Sequence, residues 1–188
     1  MKLNKMGFTL IELLAAMVIL GILMGVAIPN VIGVVNRQKN SAYIEDAKRM
    51  VIRARTTFSS NTNIDKESGT CFTLRYLDNG DFDEPPNGGV YLKSLSYVQY
   101  DSDGHYIVTL IECVSCKEKT TEQIYATNMN SMKDIRIVSN VDGGGVNYND
   151  LINDDKPTRF VTADKSKYLT PTQAGCDSSM FHDDENEE

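Results

Sequence analysis

The chain is short of the residues that enzymes of the common classes use. It has only two histidines, His105 and His182, and neither lies in a serine or cysteine motif of the kind that nucleophilic catalysis requires. The glycine-rich stretch Asp142-Gly143-Gly144-Gly145 lacks the Lys-Ser/Thr ending and the following helix of a phosphate-binding loop. The sequence therefore predicts a protein that is not an enzyme, and no catalytic residue is assigned.

Basic residues are also scarce. The 188-residue chain has 19 lysines and arginines against 26 aspartates and glutamates, with a formal net charge of −7. Because contacts to phosphates need lysine and arginine, an acidic chain is a poor candidate for non-specific DNA binding, and no nucleic-acid partner is inferred. The length suffices for one ordinary domain and a membrane anchor.

Charged and amide side chains are absent from Leu13 to Ile28. As a helix, Phe8 to Ile28 would be roughly 31 Å long, which matches a hydrocarbon core of about 30 Å. The positive-inside rule places Lys2 and Lys5 in the cytoplasm and the rest of the chain outside. The sequence thus predicts a single membrane span with a cytoplasmic N-terminus.

Glu12 is out of place in this apolar segment. A carboxylate at the bilayer centre costs roughly 2.5–3.5 kcal/mol, so a partner charge is expected, supplied by another molecule. The stretch Gly7-Phe8-Thr9-Leu10-Ile11-Glu12-Leu13, between a short basic leader and an apolar helix, resembles the class III signal of type IV pilins and of type II secretion pseudopilins. The close resemblance covers only about the first thirty residues.

The resemblance implies three events at this motif. A prepilin peptidase cuts between Gly7 and Phe8, the new amine of Phe8 is methylated, and Glu12 binds the amine of a neighbouring subunit. After cleavage, the helix dipole and the amine both favour an anion in the first turn. Glu12 lies four residues on, on the same face as its own Phe8, and can pair with it before assembly. Our hypothesis is that Glu12 thereby fixes the axial register between subunits.

Two other targeting segments compete with this interpretation. Gly25-Val26-Ala27 offers small residues for cleavage of an ordinary secretory signal peptide after Ala27, and a plain signal anchor is the second alternative. An ordinary targeting segment needs neither Gly7 before the apolar run nor Glu12 within it. We therefore favour the prepilin signal, with residues 1–7 as the cleaved leader and residues 8–30 as the transmembrane helix that later lies in the filament core.

A weak point is predicted within that helix. Gly21 and Gly25 form a GxxxG pattern, which permits close helix approach but is also common in membrane helices. Pro29 lacks the N–H group that would bond the carbonyl of Gly25. Pilins similar to this chain lose helix here when packed into filaments, so the resemblance implies a weak point at Gly21, Gly25 and Pro29.

Residues 31–60 are predicted to continue the helix in amphipathic form. Apolar residues recur at spacings of three and four, as on one face of a helix. They are Ile44, Ala47, Val51, Ala54 and Phe58, with Tyr43 and Met50 beside them, whereas Glu45, Asp46, Lys48, Arg49, Arg53 and Arg55 face elsewhere. The helix is expected to end in the run 59–63. The serine, threonine and asparagine side chains there hydrogen-bond nearby backbone groups and so compete with the hydrogen bonds of the helix.

Residues 61–182 are predicted to form a globular head. Its clearest signal is a hairpin, in which Leu95 to Tyr100 and His105 to Glu112 flank a turn containing Gly104. Shorter strands are expected in 71–77, 124–126, 134–139 and 159–162. An apolar helix stripe on an antiparallel sheet gives an α+β fold with one core, which is the pilin architecture. Residues 183–188 form an acidic tail that is predicted to be disordered.

Acidic residues and cysteines are the remaining candidates for ligand chemistry. Asp78, Asp81, Asp83 and Glu84 cluster in a long connection. Some pseudopilins bind calcium in such a region, but the spacing does not match an EF-hand loop, so a solvated acidic loop is preferred. No cofactor is assigned, and calcium is disfavoured.

Four cysteines, Cys71, Cys113, Cys116 and Cys176, lie on the predicted outer side, where disulfides persist. The resemblance suggests a C-terminal loop closed by Cys113 or Cys116 with Cys176. Cys113 and Cys116 must straddle a turn to act together, because in a strand they would point to opposite faces. Such a turn also fits a zinc knuckle completed by Cys71 and Cys176, so zinc stays open beside the favoured disulfides.

The predicted function is that of a structural subunit, a major or minor pilin of a type IV pilus. Expected partners are other pilin subunits, prepilin peptidase, the pilus assembly platform, and the membrane before assembly. The protein would lie in the cell membrane first and in the extracellular pilus afterwards, and adhesion, twitching motility or secretion are the processes implied. The alternatives are a pseudopilin of a secretion or competence machine and a membrane-anchored or secreted binding module.

Overall fold

The structure is a computed structural model that describes residues 9–61, 64, 67–82, 84–116, 134–140, 143–177 and 179–182, with the side chains of residues 26–30 left out. The chain divides into two compact units, Met1–Gln38 and Lys39–Glu188. Helix α1, Leu10–Ser60, contributes to both units. It ends within the 59–63 run, which confirms the predicted end of the helix.

The described residues of the first unit are Thr9 and the N-terminal part of α1. Its helix continues without interruption through Gly21, Gly25 and Pro29, so a weak point there stays a prediction. Within the described part of the chain, no helix is both long and apolar enough to span a membrane. The expected span, residues 8–30, includes Phe8 and the side chains of residues 26–30, which lie outside the described residues.

In the second unit, α1 buries the predicted apolar stripe. All seven stripe residues are at most 7% exposed: Tyr43, Ile44, Ala47, Met50, Val51, Ala54 and Phe58. They pack against side chains of the sheet, including Phe72, Val98, Val108 and Leu110. The spacing of the apolar residues therefore predicted the buried face of the helix correctly, because that spacing matches the helical period.

The sheet of the second unit has eight strands among the described residues. They are β1 Cys71–Thr73, β2 Val90–Tyr91, β3 Tyr97–Tyr100, β4 Tyr106–Cys113, β5 Ile135–Val138, β6 Val146–Asn147, β7 Val161–Thr162 and β8 Phe181–His182. The order is β7-β5-β4-β3-β1-β8, and β4 also pairs with β2 and β6. Strand β8 runs parallel to β1, so the sheet is mixed rather than purely antiparallel as predicted.

The predicted hairpin is confirmed. Strands β3 and β4 pair in antiparallel register, with Val98 opposite Val108 and Tyr100 opposite Tyr106. The turn is closed by Asp101, whose Oδ1 accepts the backbone N–H groups of Asp103 and His105. Gly104 adopts φ 81°, a conformation that other residues rarely take.

Other parts of the head differ from the prediction. The stretch 71–77 is a strand followed by a short helix, α2, Leu74–Leu77, because Thr73 caps that helix by accepting the N–H of Tyr76. A helix α3, Tyr148–Asn153, was not predicted, and 3₁₀ helices cover Pro157–Phe160 and Lys165–Lys167. The strand 135–138 is confirmed, whereas the strand expected at 124–126 and the tail 183–188 lie outside the described residues.

The expectation of one core is wrong, because both faces of the sheet are buried. The α1 side holds the largest cluster of buried side chains. The opposite side holds Leu92, Ile111, Cys113, Ile135 and Ile137, and a third cluster contains Cys71, Tyr97 and Cys176. Tyr168 packs against both of these smaller clusters. Residues 168–177, called the C-terminal stretch below, therefore contribute to the cover of the face that α1 leaves open.

The burial of α1 predicts contrasting effects at two nearby positions. Met50 is fully buried, whereas Ile52 is 51% exposed. Met50→Ala should lower the free energy of unfolding by about 2–5 kcal/mol, because it leaves a cavity between helix and sheet. Ile52→Ala should change it by less than about 0.5 kcal/mol. Urea unfolding of the detergent-solubilised chain measures both, and equal losses would contradict this packing.

Candidate functional site

The first turn of α1 is organised by Thr9 and Glu12. Oε2 of Glu12 accepts hydrogen bonds from the backbone N–H and from the hydroxyl of Thr9, both at 2.8 Å. The N–H of Glu12 lies 3.4 Å from Oγ1 of Thr9. Reciprocal bonds of this kind form a capping box, which satisfies backbone groups that the first helical turn leaves unpaired.

This capping role of Glu12 was missed in the sequence. The signal was available, because Thr9-Leu10-Ile11-Glu12 has the Ser/Thr-x-x-Glu spacing of a capping box. The structure places the Glu12 carboxylate at the helix N-terminus, where the helix dipole favours an anion. Gly7 and Phe8 lie outside the described residues, so cleavage, methylation and pairing of Glu12 with an amine stay predictions.

The N-terminal unit exposes an unusual amount of apolar surface. Leu10 is 82% exposed and Ile11 74%, and the large apolar side chains that follow are each at least 39% exposed. These are Leu13, Leu14, Met17, Val18, Ile19, Leu20, Ile22, Leu23, Met24, Val31, Ile32, Val34 and Val35. Contiguous apolar surface on this scale marks contact with a membrane or with other proteins.

Comparison with known proteins identifies the same N-terminal segment. Residues 4–28 match the family model described as the prokaryotic N-terminal methylation motif. The chain carries this methylation motif. The match supports a type IV pilin or pseudopilin family and so confirms the resemblance seen in Gly7 to Glu12. No curated protein and no solved structure matches the chain.

The cysteines form two disulfides, Cys71–Cys176 and Cys113–Cys116, with Cα–Cα distances of 5.7 and 5.4 Å. The pairing of Cys176 with Cys113 or Cys116, which the resemblance suggested, is therefore wrong in this structure. Cys176 precedes β8, and the parallel pairing of β8 with β1 brings it to Cys71. Cys113 ends β4, and a turn at Val114 and Ser115 returns the chain so that Cys116 reaches it.

The two disulfides also bear on the zinc hypothesis. Zinc binds cysteine as the thiolate, whereas all four sulfurs are joined in pairs in the structure. A four-sulfur site would require reduction of both bonds, and it stays an untested alternative.

Two carboxylates of the acidic loop, Asp78 and Asp81, form hydrogen bonds or ion pairs within the chain. Oδ1 of Asp78 accepts the backbone N–H groups of Gly80, Asp81 and Phe82, and its other oxygen pairs with Lys93. Asp81 forms an ion pair with Arg53 of α1. Glu84 is exposed and Asp83 lies outside the described residues. Asp78 and Asp81 therefore already have cationic partners, and the calcium hypothesis stays untested.

The two histidines occupy different surroundings. His105 Nδ1 lies 3.6 Å from Asp101 Oδ2 in the β3–β4 turn, where Asp103 also approaches within 4.8 Å. The backbone bonds of Asp101 explain this arrangement as a turn. His182 stacks on Phe72 at 5.1 Å between ring centroids, and burial lowers its pKa. His182 is therefore part of the packing of β8.

The disulfide pattern can be tested directly. Under denaturing conditions the protein should have no titratable thiol with or without a chelator, and peptide mapping should recover Cys71 linked to Cys176. Replacing Cys71 and Cys176 by serine should cost about 4–5 kcal/mol of stability, and replacing Cys113 and Cys116 about 2 kcal/mol, because the first bond closes a much longer loop. Thiols that appear only after chelation would favour zinc.

Proposed function

We propose that this protein is a structural subunit of a type IV pilus, cleaved after Gly7 and methylated at Phe8. The observation that carries the proposal is the methylation motif at residues 4–28. Before assembly, the apolar part of α1 holds the subunit in the membrane with its N-terminus in the cytoplasm. After assembly, the same surface packs in the filament core and the head faces outward, in the extracellular pilus.

The exposed apolar side chains of α1 support this placement. In a filament, the same side chains of neighbouring subunits cover one another, so the surface leaves lipid without entering water. Burial of apolar area is worth about 25 cal/mol per Å², which makes exposure of this surface to water the costly alternative. A local loss of helix between Gly21 and Pro29 would make such a fibre extensible.

Glu12 gives the assembly its register. One oxygen of its carboxylate, Oε2, caps the first turn through Thr9, and in the proposed assembly the other oxygen accepts from the methylated amine of Phe8 in a neighbouring subunit. In hydrocarbon an unpaired carboxylate is costly, so the axial position that pairs Glu12 with an amine is favoured over others. Prepilin peptidase and the pilus assembly platform are the partners that this route requires.

A pseudopilin of a secretion or competence machine is the second candidate, because the methylation motif supports both families. Electron microscopy of cells labelled with antibody to the head separates the roles. Dense labelling along long fibres indicates a major pilin, sparse labelling a minor pilin, and no labelled surface fibre a pseudopilin.

Intact mass of the membrane-extracted protein tests the processing. We expect a chain that begins at Phe8 and carries one added methyl group. A chain that begins at Met1 indicates an uncleaved anchor, and one that begins after Ala27 indicates an ordinary secreted protein. Either result would overturn the proposal and would favour a binding module.

Substitution of Glu12 tests the assembly step. Glu12→Gln removes the charge and keeps the size, so the subunit should remain in the membrane while its incorporation into fibres falls roughly tenfold to a hundredfold. This range corresponds to the loss of a charged hydrogen bond of about 1.5–3 kcal/mol. Glu45→Gln changes an exposed carboxylate further along the same helix and should assemble normally. Quantitative immunoblots of sheared fibres measure both variants, and wild-type incorporation of Glu12→Gln argues against the pairing.

A further inference from the structure

Glu112 is a fully buried acid on the central strand of the head. Alternate residues of β4 point to the same face, and Tyr106, Val108 and Leu110 of this series pack on the α1 side. Glu112 continues the series toward α1 and is 0% exposed. Its cross-strand neighbours are Tyr91 on β2 and Arg136 on β5.

The hydrogen bonds of Glu112 are incomplete. Oε2 accepts a bond of 3.0 Å from the side-chain amide of Asn87. Oε1 is buried and has no hydrogen-bond partner among the residues that the structure describes. An ionised carboxylate with a bare oxygen in a buried position is costly, whereas a neutral carboxyl costs much less.

The charges around Glu112 do not compensate for this burial. Helix α1 contributes a second acid, Asp46, which accepts hydrogen bonds from Tyr91 and Arg49. Arg136 is the nearby cation on β5, and its Nη1 donates to Asn40 of α1 at 2.7 Å. Two phenols, Tyr43 on α1 and Tyr91 on β2, are further ionisable neighbours within the described part of the chain.

These surroundings favour the protonated form of the group. Burial raises the pKa of the Glu112 carboxyl above its usual value and the negative charge of Asp46 adds to this, while the Asn87 hydrogen bond and the charge of Arg136 counteract both. Tyr43 links the same region to the helix, since its hydroxyl lies 2.7 Å from the Leu110 carbonyl and 2.9 Å from the Arg136 carbonyl. A change in the charge of Glu112 therefore acts where α1 meets β4 and β5.

We propose that Glu112 is a proton-binding site that makes the packing of α1 on the sheet depend on pH. The folded head holds this proton more tightly than the unfolded chain does. The stabilisation is therefore complete at pH values below the unfolded pKa of the glutamate and is lost as pH rises through its higher folded pKa. A rise in pH through the folded pKa of Glu112 therefore loosens the contact between α1 and the sheet.

The test compares wild type with Glu112→Gln, which keeps the Asn87 contact and cannot ionise. In the detergent-solubilised full chain, the unfolding midpoint of wild type should fall as pH is raised above the ordinary pKa of a glutamate and through the higher pKa of folded Glu112. Each unit of pKa difference changes the folding equilibrium about tenfold over this range. Glu112→Gln should lose most of this dependence, whereas Glu45→Gln, at an exposed position of α1, should keep it. Equal slopes for wild type and Glu112→Gln would overturn the proposal.

Two further measurements do not depend on the folding of that variant. Difference infrared spectra of wild type should show the carbonyl band of a protonated carboxyl that persists at pH values where exposed carboxyls have ionised and disappears as pH rises further, and its absence there counts against the proposal. Asp46→Asn removes the neighbouring negative charge while keeping an acceptor for Tyr91, so it should move the loss of this band to lower pH. An unchanged titration in Asp46→Asn would contradict the assigned surroundings.

Discussion

The head depends on the burial of strand β4 on both faces. One set of alternate side chains packs against α1, and the other set packs under the C-terminal stretch. Because β4 also pairs with β2, β3, β5 and β6, its backbone groups are used along both edges. A strand in this position fixes the helix and the remaining strands at once. This is why a head with many short strands can still fold as one compact unit.

In the N-terminal unit, by contrast, the apolar side chains are exposed. Its side chains have no cover from the described part of the chain, and it lacks the alternation between apolar and charged positions that the second unit shows. One helix therefore serves two environments. From Leu10 to Gly25 and from Val31 to Val35 its side chains are exposed, and beyond Lys39 it presents a buried apolar stripe. In the second unit the sheet covers the apolar side chains of the helix, and in the proposed function other molecules cover those of the first unit.

Local features of the fold were predictable from the sequence, and distant pairings were not. The buried stripe of α1 was predicted from apolar residues three and four positions apart. The β3–β4 hairpin was predicted from two runs of strand-forming residues on either side of a short turn. The parallel pairing of β8 with β1 joins residues more than one hundred positions apart, and its strand of two residues has no detectable period. The Cys71–Cys176 bond depends on this pairing, so the order of the cysteines did not reveal it. At the N-terminus, the motif from Gly7 to Glu12 was visible because its residues are adjacent.

Glu12 and Glu112 show two ways of placing an acid in an apolar setting. Glu12 lies at a helix N-terminus, where two hydrogen bonds from Thr9 and the helix dipole stabilise a negative charge. Glu112 lies in the middle of a packed face, with hydrogen bonds from Asn87 alone, an oxygen that has no partner among the described residues, and a second acid nearby. The first arrangement keeps the charge available to a partner, and the second favours its removal by a proton. Residue type alone does not separate these cases, since both are glutamates next to apolar residues in the sequence. The distinction comes from the donors that the fold supplies, which for Glu12 are three residues away and for Glu112 come from a separate loop.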